Sequence, residues 1–125
     1  MNARLGAGVL AAGRVLLGAA VMAAPERVTG HWLGEENAAS PIVADLARGL
    51  AARDIALGVA ALMTLDDQVL GPRIQVAAAG ADAVDALATL IAREHLPRKG
   101  AVGTVLIAGG SAVAGLYLAH VIAHA

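Results

Sequence analysis

Four apolar stretches alternate with short polar connections along this chain. Residues 5–24 are apolar except for Arg14, and twenty helical residues at 1.5 Å each reach across a hydrocarbon layer of ~30 Å. Pro25 ends that stretch, and the polar segment 26–40, with Gly30, Gly34, Glu35, Glu36 and Asn37, reads as a loop. Ser40 and Pro41 supply an N-cap and a first-turn proline, opening a second helix over 41–65 that carries Asp45, Arg48, Arg53 and Asp54. Asp66-Asp67-Gln68 and Gly71-Pro72 mark the next turn, and a third helix follows over 73–93. Leu96-Pro97-Arg98-Lys99-Gly100 breaks it before a fourth, 101–125, which contains no Asp, Glu, Lys or Arg. No period-2 alternation competes, so strands are not expected. Short connections after the second and third helices make neighbours antiparallel. The expectation is one all-α domain over 1–125, an up-and-down four-helix transmembrane bundle.

Composition sharpens that picture. Hydrophobic residues make up 58% of the 125 positions and charged residues 15%, against roughly 45–50% and about 25% in an ordinary soluble domain. Mean hydropathy is +0.71. A soluble, alanine-rich bundle suits the second helix alone, but the first and fourth lack any continuous polar face. A cleaved leader (Arg4 as its charged start, Val15 to Ala24 as its apolar core) is the alternative for the N-terminus; Arg14 interrupts it, and the segment reads as a membrane helix. Without cysteine there are no disulfides, thiolate metal sites or cysteine nucleophiles. A net charge of −1 leaves no basic patch for nucleic acid. The partner implied is the lipid bilayer.

Depth singles out five charges. Arg14, Arg53, Asp54, Asp82 and Asp85 all lie near the midpoints of their helices. A charge at that level costs about 2.5–3.5 kcal/mol on insertion scales, so the five are expected to turn inward and pair. Gln75, Ala78, Asp82, Asp85 and Thr89 form one stripe on the third helix. Arg14 shares its face with Ala7, Ala11 and Gly18, and Arg53 with Gly49, Ala56 and Ala60, small residues that let helices approach closely. Asp54 is about 100° around from Arg53 and is expected to meet a different helix. Gln75, Thr89 and Arg48 are secondary members. Such a network either fixes packing and register or holds a proton on an aspartate pair for transfer chemistry.

Ala52-Arg53-Asp54-Ile55-Ala56-Leu57-Gly58 followed by Asp82-Ala83-Val84-Asp85-Ala86 resembles a family of small four-span membrane proteins common in high-GC bacteria. The likeness covers about residues 45–93. It implies a four-span fold in a bacterial inner membrane and no particular activity. Two other four-span families do not fit. Small multidrug exporters need a glutamate in the first helix and an aromatic cavity, and fluoride channels need a pore asparagine and phenylalanines. This chain has no Phe, and its asparagines are Asn2 and Asn37.

His120 and His124, four apart on one helix face, are weak candidate metal ligands, with Asp66 or Asp67 as the third; His31 with Glu35, Glu36, Glu94 and His95 is another such group. No cofactor is expected. Trp32 reads as an interfacial anchor and Tyr117 as a packed or interfacial aromatic. Gly109, Gly110, Ala112, Ala114 and Gly115 make a small-residue surface for a neighbouring helix. Arg27, Arg93, Arg98 and Lys99 in the first and third connections outweigh Arg4 and Arg73, placing both termini outside. The expected role is an accessory or assembly subunit acting through helix contacts, in a homo-oligomer or a larger membrane complex. The alternative is a proton-coupled carrier, or an enzyme for a lipid-soluble substrate, built on Asp82 and Asp85.

Overall fold

The computed structural model describes residues 2–125, and these are helical with no strand among them. The helices are α1 Ala3–Ala23, α2 Pro25–Leu33, α3 Glu35–Ala38, α4 Pro41–Met63, α5 Leu70–Ile91 and α6 Arg98–Ala123, with a 3-10 turn Arg93–His95 before the last. Asn2 caps α1, its side chain accepting from the Arg4 amide at 2.9 Å. Ser40 stands at the N-cap of α4, but its side chain makes no capping bond there.

The segment expected to be a loop is largely helix. Pro25 opens α2, Glu26 suits its positive first turn and Thr29 is buried against the helices. Gly34, at φ 89°, then reverses the chain into α3 in a conformation that glycine adopts without strain. The third long helix also starts earlier than expected. Asp67 accepts from the backbone amides of Val69 and Leu70, each at 2.8 Å, so Gly71-Pro72 becomes its first turn instead of a loop. Those bonds, the one from Leu70 foremost, hold the Asp67 carboxyl below the usual aspartate range.

Three helices, α1, α5 and α6, are long and apolar enough to cross a membrane. The chain was expected to hold four such spans; α4 does not qualify on its own composition, because Asp45, Arg48, Arg53 and Asp54 crowd its first two-thirds. The surface is consistent with a membrane protein. Large apolar side chains mostly point outward, with Met63 80% and Ile91 83% exposed, while the interior is mostly Ala and Gly, with Pro25, Pro72, Ile122 and the polar Thr29, Gln75, Asp82 and Thr89. That inversion suits hydrocarbon, which offers no reason to bury Leu or Ile and every reason to bury polar groups.

The inward positions follow one spacing in all four long helices. They are Ala7, Ala11, Arg14, Gly18 and Val21 in α1; Ala47, Ala51, Asp54, Gly58 and Ala61 in α4; Gln75, Ala79, Asp82, Ala86 and Thr89 in α5; and Ala108, Ala112, Gly115, Ala119 and Ile122 in α6. Steps of four and three average 3.5, the seam of helices that cross at shallow angles. The helices pack as two tight pairs, α1 with α4 and α5 with α6, and the pairs meet more loosely through α1 with α6 and α4 with α5.

The α1–α4 seam is reciprocal and antiparallel. Gly18 faces Ala51 and Ile55, and Gly58 faces Ala11 and Val15. A methyl on Gly18 would sit 2.9 Å from the Ala51 carbonyl oxygen, and one on Gly58 2.9 Å from that of Ala11. In that register residues 7–21 and 47–61 are identical at seven of fifteen positions, four of them alanine. Both termini and the turn after α4 share one end, where Arg4 lies 3.8 Å from Asp66. At the other end α2 lies across α6, with Gly100 against the backbone carbonyls of His31 and Trp32.

Candidate functional site between the helix pairs

The middle position of the inward spacing is Arg14 in α1, Asp54 in α4, Asp82 in α5 and Gly115 in α6. Three charged groups therefore converge at one level. Arg14 donates through one terminal nitrogen to Asp54 Oδ1 at 3.2 Å and through the other to Asp82 Oδ2. Arg53 forks onto Asp85, at 3.2 Å to Oδ1 and 2.7 Å to Oδ2, and also reaches Asp54 Oδ1 at 3.2 Å. All five residues are thus joined through shared oxygens. Their side chains are 11–30% exposed, with Arg14 and Asp82 the most enclosed.

The faces differ from expectation in one respect. It is Asp54, not Arg53, that sits on the packed face of α4; Gly49 and Ala56 are exposed, and Arg53 swings sideways to α5. Asp54 meets α1 through Arg14 but also bonds its own neighbour Arg53. The secondary members divide. Arg48 lies outside the cluster and donates to the Met22 carbonyl at 3.3 Å, a cation at the C-terminal end of α1. Thr89 is 1% exposed, donates to the Asp85 carbonyl at 2.8 Å and accepts from Trp32 Nε1 at 3.1 Å. Trp32 is therefore tied to α5 and is not simply an interfacial anchor. Nothing in the sequence marks that pairing, since the two residues are fifty-seven apart.

The cluster joins the two halves of the molecule. The α1–α4 pair supplies two guanidiniums and one carboxylate to it, α5 supplies two carboxylates, and α6 supplies no charge at this level. Attraction therefore runs across the loose seam, and the Arg14–Asp82 and Arg53–Asp85 pairs are its fastenings.

Beside the cluster the loose seam opens into a cavity of about 640 Å³. Leu10, Leu17, Leu50, Ala78, Ala79 and Ile107 make apolar wall, while Arg14, Arg53, Asp54, Asp82 and Asp85 make one polar side. Gln75 also lines it, two turns from Asp82; it is 5% exposed, and its amide has no hydrogen-bond partner among the described residues. Arg53 Nε is the side-chain nitrogen sealed from solvent without a partner among the described residues. His31 and Lys99, both exposed, border the mouth near α2.

The histidine groups gather no ligand set. His120 and His124 rings lie 4.3 Å apart, and His124 Nδ1 lies 2.8 Å from the His120 carbonyl. Among the described residues no three His, Cys, Asp or Glu side chains group as metal ligands, and this covers Asp66, Asp67 and the His31, Glu35, Glu36, Glu94, His95 set. Tyr117 is exposed. Of the small-residue surface on α6, Ala112 and Gly115 pack inward, whereas Gly109 and Gly110 have nothing within 4 Å of an added methyl. No family model, curated protein or solved structure matches the chain.

Proposed function

We propose that this chain is a four-span, up-and-down helical protein of a bacterial inner membrane, and that its interior binds a small lipid-soluble molecule as a proton-coupled carrier. The observation that carries the reading is the cavity of about 640 Å³ whose apolar walls converge on the Arg14, Arg53, Asp54, Asp82 and Asp85 cluster. A network kept only for packing has no need of open volume beside it, whereas ligand sites are concave, largely apolar and polar at a few points. The α4 helix serves as the fourth span because Arg53 and Asp54 turn to the cluster, Asp45 and Arg48 lie in its opening turns near the headgroups, and Ile42, Leu46, Val59, Leu62 and Met63 face outward. Arg27, Arg93, Arg98 and Lys99 put the α2 end in the cytoplasm and both termini outside. Carrier chemistry is favoured over an enzyme because every carboxylate of the cluster is engaged by a guanidinium, leaving charge balance and proton binding as its work.

The role of accessory subunit, alone or as a homo-oligomer, is the second reading. It draws on Gly80 and Gly110, exposed glycines with open space where a methyl would stand, which let another helix approach closely.

The test is occupancy of the cavity. Purified protein incubated with a lipid extract of its native membrane is examined by native mass spectrometry beside Ala108→Trp, which fills the wall from α6. A small-molecule adduct on the original chain that the helical, equally stable variant lacks is the expected result. Equal adducts on both, or none on either, overturn the reading.

A further inference from the structure

We infer that the ligand of this cavity is a lipophilic monocation, bound in exchange for one proton held by the Asp54, Asp82 and Asp85 carboxylates. The inference rests on the cavity reading and adds the charge class of what enters.

Charge count is the first ground. At the cluster α1 presents Arg14, α4 presents Arg53 and Asp54, and α5 presents Asp82 and Asp85. No Asp, Glu, Lys or Arg occurs in α6 after Lys99. Two positive charges face three negative ones, so the site carries an excess of one negative charge in surroundings of low polarity. Lys99 and His31 do not cancel it. Both are exposed at the α2 end, in the layer where Gly100 meets Trp32 and Trp32 meets Thr89. Neither pairs with a cluster carboxylate; among the described residues the ion-pair partners of Asp54, Asp82 and Asp85 are Arg14 and Arg53.

The second ground is unmet polar capacity turned to the cavity. Gln75 is 5% exposed, lines the same wall, and offers an amide with no partner among the described residues. The Gln75 amide is not among the side-chain atoms sealed from solvent, so it opens to the cavity and is free to meet a ligand there. The remaining wall is mostly apolar, with the hydroxyls of Thr29, Thr104 and Ser111 and with Lys99 at the mouth, and its aromatic rings among the described residues are Trp32 and His31. It selects by charge and by apolar bulk rather than by stacking on aromatic faces.

One excess charge admits one cation at a time. With no ligand present a proton on a carboxylate balances the cluster; when the cation enters, that O–H bond breaks, the proton leaves to water, and the carboxylate pairs with the ligand. Asp82 and Asp85 are also the fastenings of the loose seam, so a cation drawn to them competes with Arg14 and Arg53 for the contacts that hold the helix pairs together.

The experiment uses tetraphenylphosphonium and its anionic isostere tetraphenylborate, which share shape and differ in sign. Equilibrium binding to the full chain in detergent is followed across pH, with proton release read in weakly buffered solution. Saturable binding of one phosphonium per chain is expected, with the borate at least about tenfold weaker. Apparent affinity should weaken by up to about tenfold per pH unit on the acid side, with about one proton released per cation. Asp82→Asn and Asp85→Asn should lose the binding; where either fails to fold, the proton release and pH slope of the unaltered chain decide. Borate binding as well as the phosphonium, or phosphonium binding without proton release, overturns the inference. If neither ion binds while the Ala108→Trp comparison still shows a native adduct, the cation class falls and the cavity reading stands.

Discussion

The two seams of this molecule are built from opposite materials. Between α1 and α4 the contact is glycine against backbone: Gly18 on Ala51 and Ile55, Gly58 on Ala11 and Val15, with no room for a methyl at either. Between the pairs the contact is charge against charge across a cavity, Arg14 to Asp82 and Arg53 to Asp85. Close packing is specific and short-ranged, because dispersion attraction is forfeited within an ångström of separation. Ion pairs tolerate more distance and can exchange partners. The chain thus divides into two tightly packed pairs and one seam held by charge, and the binding proposed above would lie in that seam.

Unpairing that seam should give the largest effect. Arg14→Leu leaves Asp82 and Asp54 short of a partner in an enclosed place, and removing one member of a buried pair typically costs about 3–5 kcal/mol. Thermal unfolding in detergent should show that loss, and Arg14→Leu with Asp82→Leu should recover part of it. Strictly additive losses would mean that the seam is not fastened by this pair.

Glycine substitutions separate the seams more finely. Gly58→Ala should destabilise by about 1–3 kcal/mol, because the new methyl would lie 2.6 Å from Val15 Cγ2 as well as against the Ala11 carbonyl. Gly49→Ala, on the same helix with open space around it, should be neutral or stabilising by up to about 1 kcal/mol. Equal unfolding temperatures for the two variants would remove the case for a tight α1–α4 seam.

The smallest effect lies outside both seams. Asp67 holds the start of α5 as a carboxylate, and its proton affinity is lowered by the Leu70 and Val69 amides. A carboxyl more acidic when folded adds stability above its unfolded value, near pH ~4, and loses it as pH falls through the lower folded value. Asp67→Ala should therefore unfold more readily than the original chain at neutral pH and converge with it in acid. A stability difference that persists below that range would assign the effect to something other than the carboxylate.

Helix positions were readable from the chain because apolar length and proline or glycine breaks act locally, without reference to the rest of the fold. Residues 26–40 were misread for the complementary reason: α2 gains its place from Thr29 packing inward and from Trp32 reaching Thr89, contacts no local pattern announces. The five charges were legible as a set, since equal depth in neighbouring helices can be counted from helix midpoints. Which charge sits on the packed face was not. Asp54 and Arg53 are adjacent, and a rotation of α4 by one residue would exchange them; the fit of Gly58 against Ala11 and Val15 sets that rotation.

What the sequence determined by itself is therefore additive along the chain: helical segments, their apolarity, and the excess of one negative charge among the five buried groups. Tertiary structure alone decided the pairing of α1 with α4, the looser seam beside it, and the cavity that leaves Gln75 unpartnered. Those properties depend on where two surfaces fail to fit, and a misfit belongs to neither surface until they meet.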